Sequence, residues 1–359
     1  MPPTILVAPA AFKGTFGPRQ VADALVAGTR RAMPQAAVLA VPVADGGDGL
    51  LDALLGPTAL RERVPVTGPL GTPVQAELGW IDPETAIFES ATACGLALLQ
   101  PEQRAPLITT THGVGQLIVE AADRGARTVI VGLGGSATVD GGTGAACGMG
   151  WVFHDAAGQP LPEGGGGLVD LAEWTPGWKL DARVIALADV QTPLVGPEGA
   201  AAVFGPQKGA SPADVERLAT GLERLGEVMA RHGHPQLATR PGGGAAGGLG
   251  AGLICFARAE LEPGAPWVLD RIGFDAALAK ADLVLIGEGA FDRPSLLGKA
   301  PGEVLRRAQA ARKKVVLVTG SADDPPNIPV VIGDGSRLDA AGLAALAERA
   351  VREAFAVPV

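Results

Sequence analysis

The sequence predicts an α/β protein of two domains: a doubly wound, Rossmann-like domain formed by both chain ends, with a second α/β domain inserted between them. Three observations carry this expectation. Short apolar, strand-like runs alternate with amphipathic helical stretches at both ends of the chain, which is the rhythm of a parallel sheet covered by helices. The middle has a different texture, with a hairpin signal and long glycine-rich loops. Finally, 359 residues at 47% hydrophobic content are enough for two domains, each with its own core. The expected boundaries are 1–65 with 280–359 for the first domain and 66–279 for the insertion. The active site is expected in the cleft between them, where the carboxyl ends of strands bring side chains together.

Taken in order, Thr4 to Val7 is a β-branched apolar run, Pro18 to Ala32 a helix opening on proline, and Val38 to Val43 a second strand. Arg63 to Ile81, with Thr67-Gly68-Pro69-Leu70-Gly71-Thr72-Pro73 at its centre, reads as a hairpin. The insertion continues with a helix from His112 to Arg124, strands at Thr128 to Leu133 and Val184 to Ala188, and a helix from Pro212 to His232. The first rhythm returns with strand Leu283 to Ile286, helix Pro301 to Arg312, strands Val315 to Val318 and Val330 to Ile332, and helix Ala340 to Ala354.

Composition narrows the function classes. The net charge is −9 with no Lys/Arg-rich run, so the counterion release that drives nucleic-acid binding has no source. No basic segment precedes an apolar stretch at the start, and nothing resembles an anchored membrane span, so the expected location is cytoplasmic. Cys94, Cys147 and Cys255 are widely spaced and read as buried thiols. The four histidines, His112, His154, His232 and His234, lack metal-ligand spacing.

Five segments could carry chemistry. Val43 to Gly49 holds Asp45 and Asp48 among three glycines after a strand, either a polar-ligand or metal loop or an Asx-capped turn. Val131 to Gly142 leads from a strand into small residues whose amides and hydroxyls could cradle phosphates. Its Gly132-x-Gly134-x-x-Ala137 also fits a dinucleotide fingerprint, the sole support for an NAD-dependent oxidoreductase, and its helix would then carry several glycines. Pro241 to Gly252 offers bare amides to a polyphosphate if a helix starts near Ala246, or else allows close backbone packing. Asp189 ends an apolar strand as a general base, a Mg²⁺ ligand or a simple cap. Ile286 to Asp292, followed by Gly298-Lys299-Ala300-Pro301, puts acids at a strand end and a lysine at a helix start. Lys13, Lys208 and Lys299 are loop cations able to neutralise phosphate or hold a carboxylate. Together these suit phosphoryl transfer, where catalysis is mostly positioning and charge neutralisation.

In order along the chain, VAPAAFKG, PVADGGDG, ESATACGL, TTHGVGQLI, VGLGGSATVDGG, GPEGAAAVFGPQKGA, PGGGAAGGLGAG, IGEGAFD and GKAP resemble the bacterial type I glycerate kinase family, from about Ile5 to about Gly320. The resemblance implies a two-domain α/β enzyme that uses ATP and Mg²⁺ to phosphorylate D-glycerate at the 2-hydroxyl, giving 2-phosphoglycerate. Carried onto this chain, it implies Asp189, Asp292 and Lys13 as catalytic residues, and Gly134, Gly135, Ser136, Gly247, Gly248 and Lys208 around ATP. It also implies Asp45, Ser90 and Lys299 around glycerate, and Asp189 with Asp45 on the metal. The chain departs from the family pattern at Ala10 and Ala11, which replace Asp and Ser, at Val139 and Thr192, which replace Asn, and at Pro294, which replaces Gln. Such losses raise an alternative: a kinase fold with impaired activity, or one acting on another small 2-hydroxy acid.

Overall fold

In the computed structural model the described residues are 2–12, 14–56, 58–292, 295, 298–323, 325–333 and 338–356. The chain divides into two compact units, 1–56 with 263–359 and 57–262. The divisions thus lie before the expected positions at 65 and 280, for two physical reasons. Strand Arg61–Thr67 pairs along its whole length with Pro73–Asp82, so it belongs to the insertion. Helices Gly264–Arg271 and Phe274–Lys280 bury Ala265, Leu269, Phe274 and Leu278 against Leu6, Ala8 and Ile286, so they belong with the chain ends.

The terminal unit is built on a five-stranded sheet, in the order Val330–Ile332, Lys314–Ala322, Leu283–Phe291, Thr4–Pro9, Ala37–Ala40. Every pairing is parallel. Its strands are continuous apolar runs because both faces are covered. Leu6, Ala8, Val284, Ile286 and Leu317 face the helices Gly264–Arg271, Phe274–Lys280 and Ala300–Ala310. Ile5, Val7, Leu285 and Val316 face the helices Pro18–Ala32 and Ala340–Phe355. Those two helices cross closely at Gly28, where a Cβ would lie 1.9 Å from the Ala344 carbonyl oxygen. The second strand is shorter than Val38 to Val43, yet the Val41 and Val43 amides still donate to Val7 and Pro9 carbonyls, so the pairing outlasts the regular strand.

Strand order decides where a ligand would go. From Thr4–Pro9 the chain passes to Ala37–Ala40 on one side, while Leu283–Phe291 passes to Lys314–Ala322 on the other. The switch point therefore lies between Thr4–Pro9 and Leu283–Phe291, at whose carboxyl ends open α/β sheets bind ligands.

The inserted unit has a six-stranded sheet, in the order Glu260–Pro263, Arg183–Ala188, Thr128–Gly132, Thr85–Glu89, Pro73–Asp82, Arg61–Thr67. Arg183–Ala188, Thr128–Gly132 and Thr85–Glu89 run parallel, and the expected hairpin adds antiparallel strands to them. Cys94 and Cys255 are buried as expected, whereas Cys147 is half-buried.

Candidate functional site

In the inserted unit the three parallel strands share a carboxyl edge, and the chain continues from them as Ser90, as Leu133 to Ser136 and as Asp189. The loop beyond Gly132 is pinned on its inner side: Leu96 N–H donates to the Gly135 carbonyl and Ala137 N–H to the Cys94 carbonyl, both at 2.8 Å. Among the described residues the amides of Gly134 and Gly135 have no hydrogen-bond partner, and Gly135 is exposed with φ +59°. Two unpartnered backbone donors on a loop at a strand end are an arrangement that could receive an anion. Asp189 is half-buried at the end of Arg183–Ala188.

Behind this loop several of the expected ligand groups are engaged within the fold. Lys208 is 2% exposed, and its ammonium donates to Ser136 Oγ at 2.8 Å and to the Thr138 carbonyl at 2.7 Å. It braces the loop from beneath, so it is not an open cation awaiting phosphate. Gly247 and Gly248 are likewise not open donors, because both their amides donate to the Gly244 carbonyl. Helix Ala245–Ala257 begins irregularly, with Ala246, Gly247 and Gly248 left-handed. A Cβ on Gly247 would sit 1.9 Å from the Thr138 carbonyl oxygen. The glycine-rich segment thus serves close backbone packing. Ser90 is fully buried, and among the described residues its Oγ has no hydrogen-bond partner. Val139 lies in the apolar core, so its replacement of a polar residue removes no ligand-facing group.

Asp140 organises the same loop. Fully buried, it accepts hydrogen bonds from Thr111 N–H and Oγ1 (both 2.8 Å), Gly142 N–H (3.0 Å) and Gly144 N–H (3.2 Å). Burial pushes its carboxyl above the ordinary value, and these donors pull it back.

Burial depresses the Lys208 ammonium to about 8, against the opposing pull of Cys94 and Asp140. Between about pH 8 and the unperturbed 10.5 the folded protein holds fewer protons at this site than the unfolded chain, so stability at this site rises with pH. Subtracting the unfolding free energy of Lys208→Met from that of the natural chain should give a difference that grows by about 3 kcal/mol between pH 7 and 10.5. The chain has no tyrosine to obscure the measurement. A difference independent of pH would contradict a buried charged ammonium.

In the terminal unit the parallel strands bring Ala10, Asp45 and Asp292 to one edge. Asp45 Oδ1 accepts from Gly47 N–H at 3.1 Å, and Gly264 packs so tightly on the Asp45 carbonyl that a Cβ would come within 2.0 Å. Asp292 Oδ1 accepts from Ser295 N–H at 2.9 Å and Ser295 Oγ at 2.8 Å, with the Lys299 ammonium at 3.5 Å. Burial alone would raise the Asp292 carboxyl, but Ser295 and Lys299 outweigh it and hold it below its ordinary value. Lys299 caps helix Ala300–Ala310. Lys13 and Pro294 lie outside the described residues.

The residue given no role beforehand is Glu288, the sixth residue of Leu283–Phe291 and 9% exposed. Its signal in the sequence was an acid just past the expected strand Leu283 to Ile286. A cavity of about 590 Å³ in the inserted unit, lined by Val119, Met149, Trp178 and Leu180, lies by Arg127 and Ala182 at the opposite, amino-terminal ends of the strands. It contains none of the candidate residues described above.

The family model described as the glycerate kinase family matches residues 5–331. A glycerate kinase of Halalkalibacterium halodurans is 42% identical over 328 residues, covering 89% of this chain and 85% of the relative. The glycerate 2-kinase of Escherichia coli K12 is 40% identical over 327 residues, covering 89% and 86%. The crystal structure of a protein assigned as glycerate kinase 2 from Salmonella typhimurium LT2 superposes with a TM-score of 0.82 at 40% identity, covering 99% of this chain and 96% of that one.

Proposed function

The chain belongs to the glycerate kinase family, and from that membership we propose that it transfers the γ-phosphoryl group of ATP to the 2-hydroxyl of D-glycerate, giving 2-phosphoglycerate and ADP. It is an enzyme that phosphorylates glycerate; the position of transfer and the residue roles are the proposal. The observation that carries it is identity of about 40% to glycerate kinases over nearly nine-tenths of the chain. The impaired-kinase alternative is not favoured, and the core position of Val139 removes one of its supports.

In this reading the Gly134 and Gly135 amides, on a loop braced by Ser136 and Lys208, receive nucleotide phosphates. Lys299, steadied by Asp292, receives the carboxylate of glycerate, and Lys13 offsets charge on the transferring group. Among the described residues no three His, Cys, Asp or Glu side chains form a preformed metal cluster. That suits magnesium in a kinase, which takes one or two carboxylates and completes its octahedron with water and phosphate oxygens. Asp189, half-buried just past the end of Arg183–Ala188, is the residue of the inserted unit that would hold it. When bound, the ion would neutralise charge on the phosphates. No described helix is long and apolar enough to cross a membrane, and we place the enzyme in the cytoplasm with no nucleic-acid partner.

An ADP-release assay with ATP and Mg²⁺, run with D-glycerate, tartronate, lactate and glycolate, tests the reading. Glycerate is expected to give the highest kcat/KM; a preference for one of the other acids would move the chain to a different substrate.

A further inference from the structure

Resting on that reading, we infer that Glu288 accepts the proton of the substrate hydroxyl as the phosphoryl group is transferred. Its place in the sheet is the first support. Val284 and Ile286, two and four residues before it, lie in the core beneath helices Gly264–Arg271 and Ala300–Ala310, so period-two alternation puts Glu288 on that same face at the carboxyl end of its strand. That end borders the switch point of the sheet.

The second support is an unmet need. Glu288 is more than nine-tenths buried, and among the described residues its Oε2 has no hydrogen-bond partner. A buried carboxylate oxygen without a donor is costly, and a substrate hydroxyl is a donor that would meet it.

The third is the state of its neighbours. Asp292 and Lys299 follow from its own strand, Asp45 comes from the loop after Ala37–Ala40, and Thr319 is its partner on Lys314–Ala322. Asp292 is the weaker base, because Ser295 and Lys299 outweigh burial and hold its carboxyl below the ordinary value. Burial raises the Glu288 carboxyl to about 7, while Ser295 and Lys299 draw it down and Asp292 and Asp45 push it up. An acid poised near neutral pH is the best-matched proton acceptor. On the other side of the switch point, one step past the Pro9–Gly287 register pair, stands Ala10. It packs on the same core face as Leu6 and Ala8, so no second carboxylate opposes Glu288 there.

Glu288 Oε2 takes the hydroxyl proton, and the hydroxyl oxygen uses the released electron pair to bond to the γ-phosphorus. The bond from that phosphorus to the β–γ bridging oxygen breaks, and ADP leaves with its electrons. Glu288 then returns the proton to water.

Steady-state kinetics of Glu288→Gln across pH 5.5–9 test this. The expected result is a fall in kcat of about 10² or more, with KM for glycerate and ATP within about threefold of the natural chain. The natural chain should gain activity as pH rises through about 7, and this limb should vanish in Glu288→Gln. Glu288→Asp, which keeps a retracted carboxylate, should keep the limb at reduced kcat, and it decides the matter if the Gln variant does not fold. Persistence of the limb in Glu288→Gln, its absence in a folded Glu288→Asp, or kcat within about threefold in the Gln variant would overturn the assignment. If the natural chain itself releases no ADP with glycerate, the functional reading falls first; if it is active and Glu288→Gln equals it, only the role of Glu288 falls.

Discussion

Asp140→Ala is expected to destabilise the inserted unit by about 4 kcal/mol or more. The side chain accepts from three backbone amides and one hydroxyl in a fully buried setting. Deleting it leaves Thr111, Gly142 and Gly144 N–H groups without an acceptor, and each buried orphan costs about 1–3 kcal/mol. The raised carboxyl pKa does not soften this, since even a protonated acid would still accept from most of these donors. Asp140→Asn should also be costly, because its amide would place a donor against donors. Urea unfolding followed by the fluorescence of Trp80, Trp151, Trp174 and Trp178, all in this unit, reads the effect directly. A loss under about 1 kcal/mol would mean that Asp140 is a ligand group with only a minor structural part.

The largest effect on turnover outside Glu288 is expected from Asp189→Asn. The residue ends Arg183–Ala188, the strand beside Thr128–Gly132, so it shares an edge with the open Gly134 and Gly135 amides. The change preserves shape and removes one negative charge. As a magnesium ligand, Asp189 would act through the charge balance around the transferring phosphoryl group, where electrostatic terms dominate. We expect kcat/KM to fall by about 10² or more, and the Mg²⁺ concentration for half-maximal rate to rise, with the unfolding midpoint little changed. Unchanged Mg²⁺ dependence together with unchanged kcat would remove Asp189 from the mechanism.

Elements with strong periodicity or punctuation were legible in the sequence. Helix Pro18–Ala32 and strand Val330–Ile332 have the expected limits, because proline starts the one and loop residues bound the other. The unit boundaries were harder, since Arg61–Thr67 declares its allegiance only through a partner strand and Gly264–Arg271 only through the core it fills. Glycine was the most ambiguous signal. The same residue type gives open amides at Gly134 and Gly135 and backbone packing at Gly247 and Gly248, and only the third dimension separates the two. Lys208 misleads for a similar reason: a lysine among loop residues looks solvated until the fold closes over it. Glu288 was visible as an acid at a strand end, but the strand's extension to Phe291 and the orphaned oxygen appear only once neighbours are in place.

The most direct test of the central claim is phosphorus NMR of the products formed by the purified chain from ATP, Mg²⁺ and D-glycerate. Stoichiometric ADP and 2-phosphoglycerate, dependent on both substrates, are the expected result. Phosphorylation at the 3-hydroxyl would contradict the assigned position, and ATP left intact in the presence of glycerate would contradict the assigned activity.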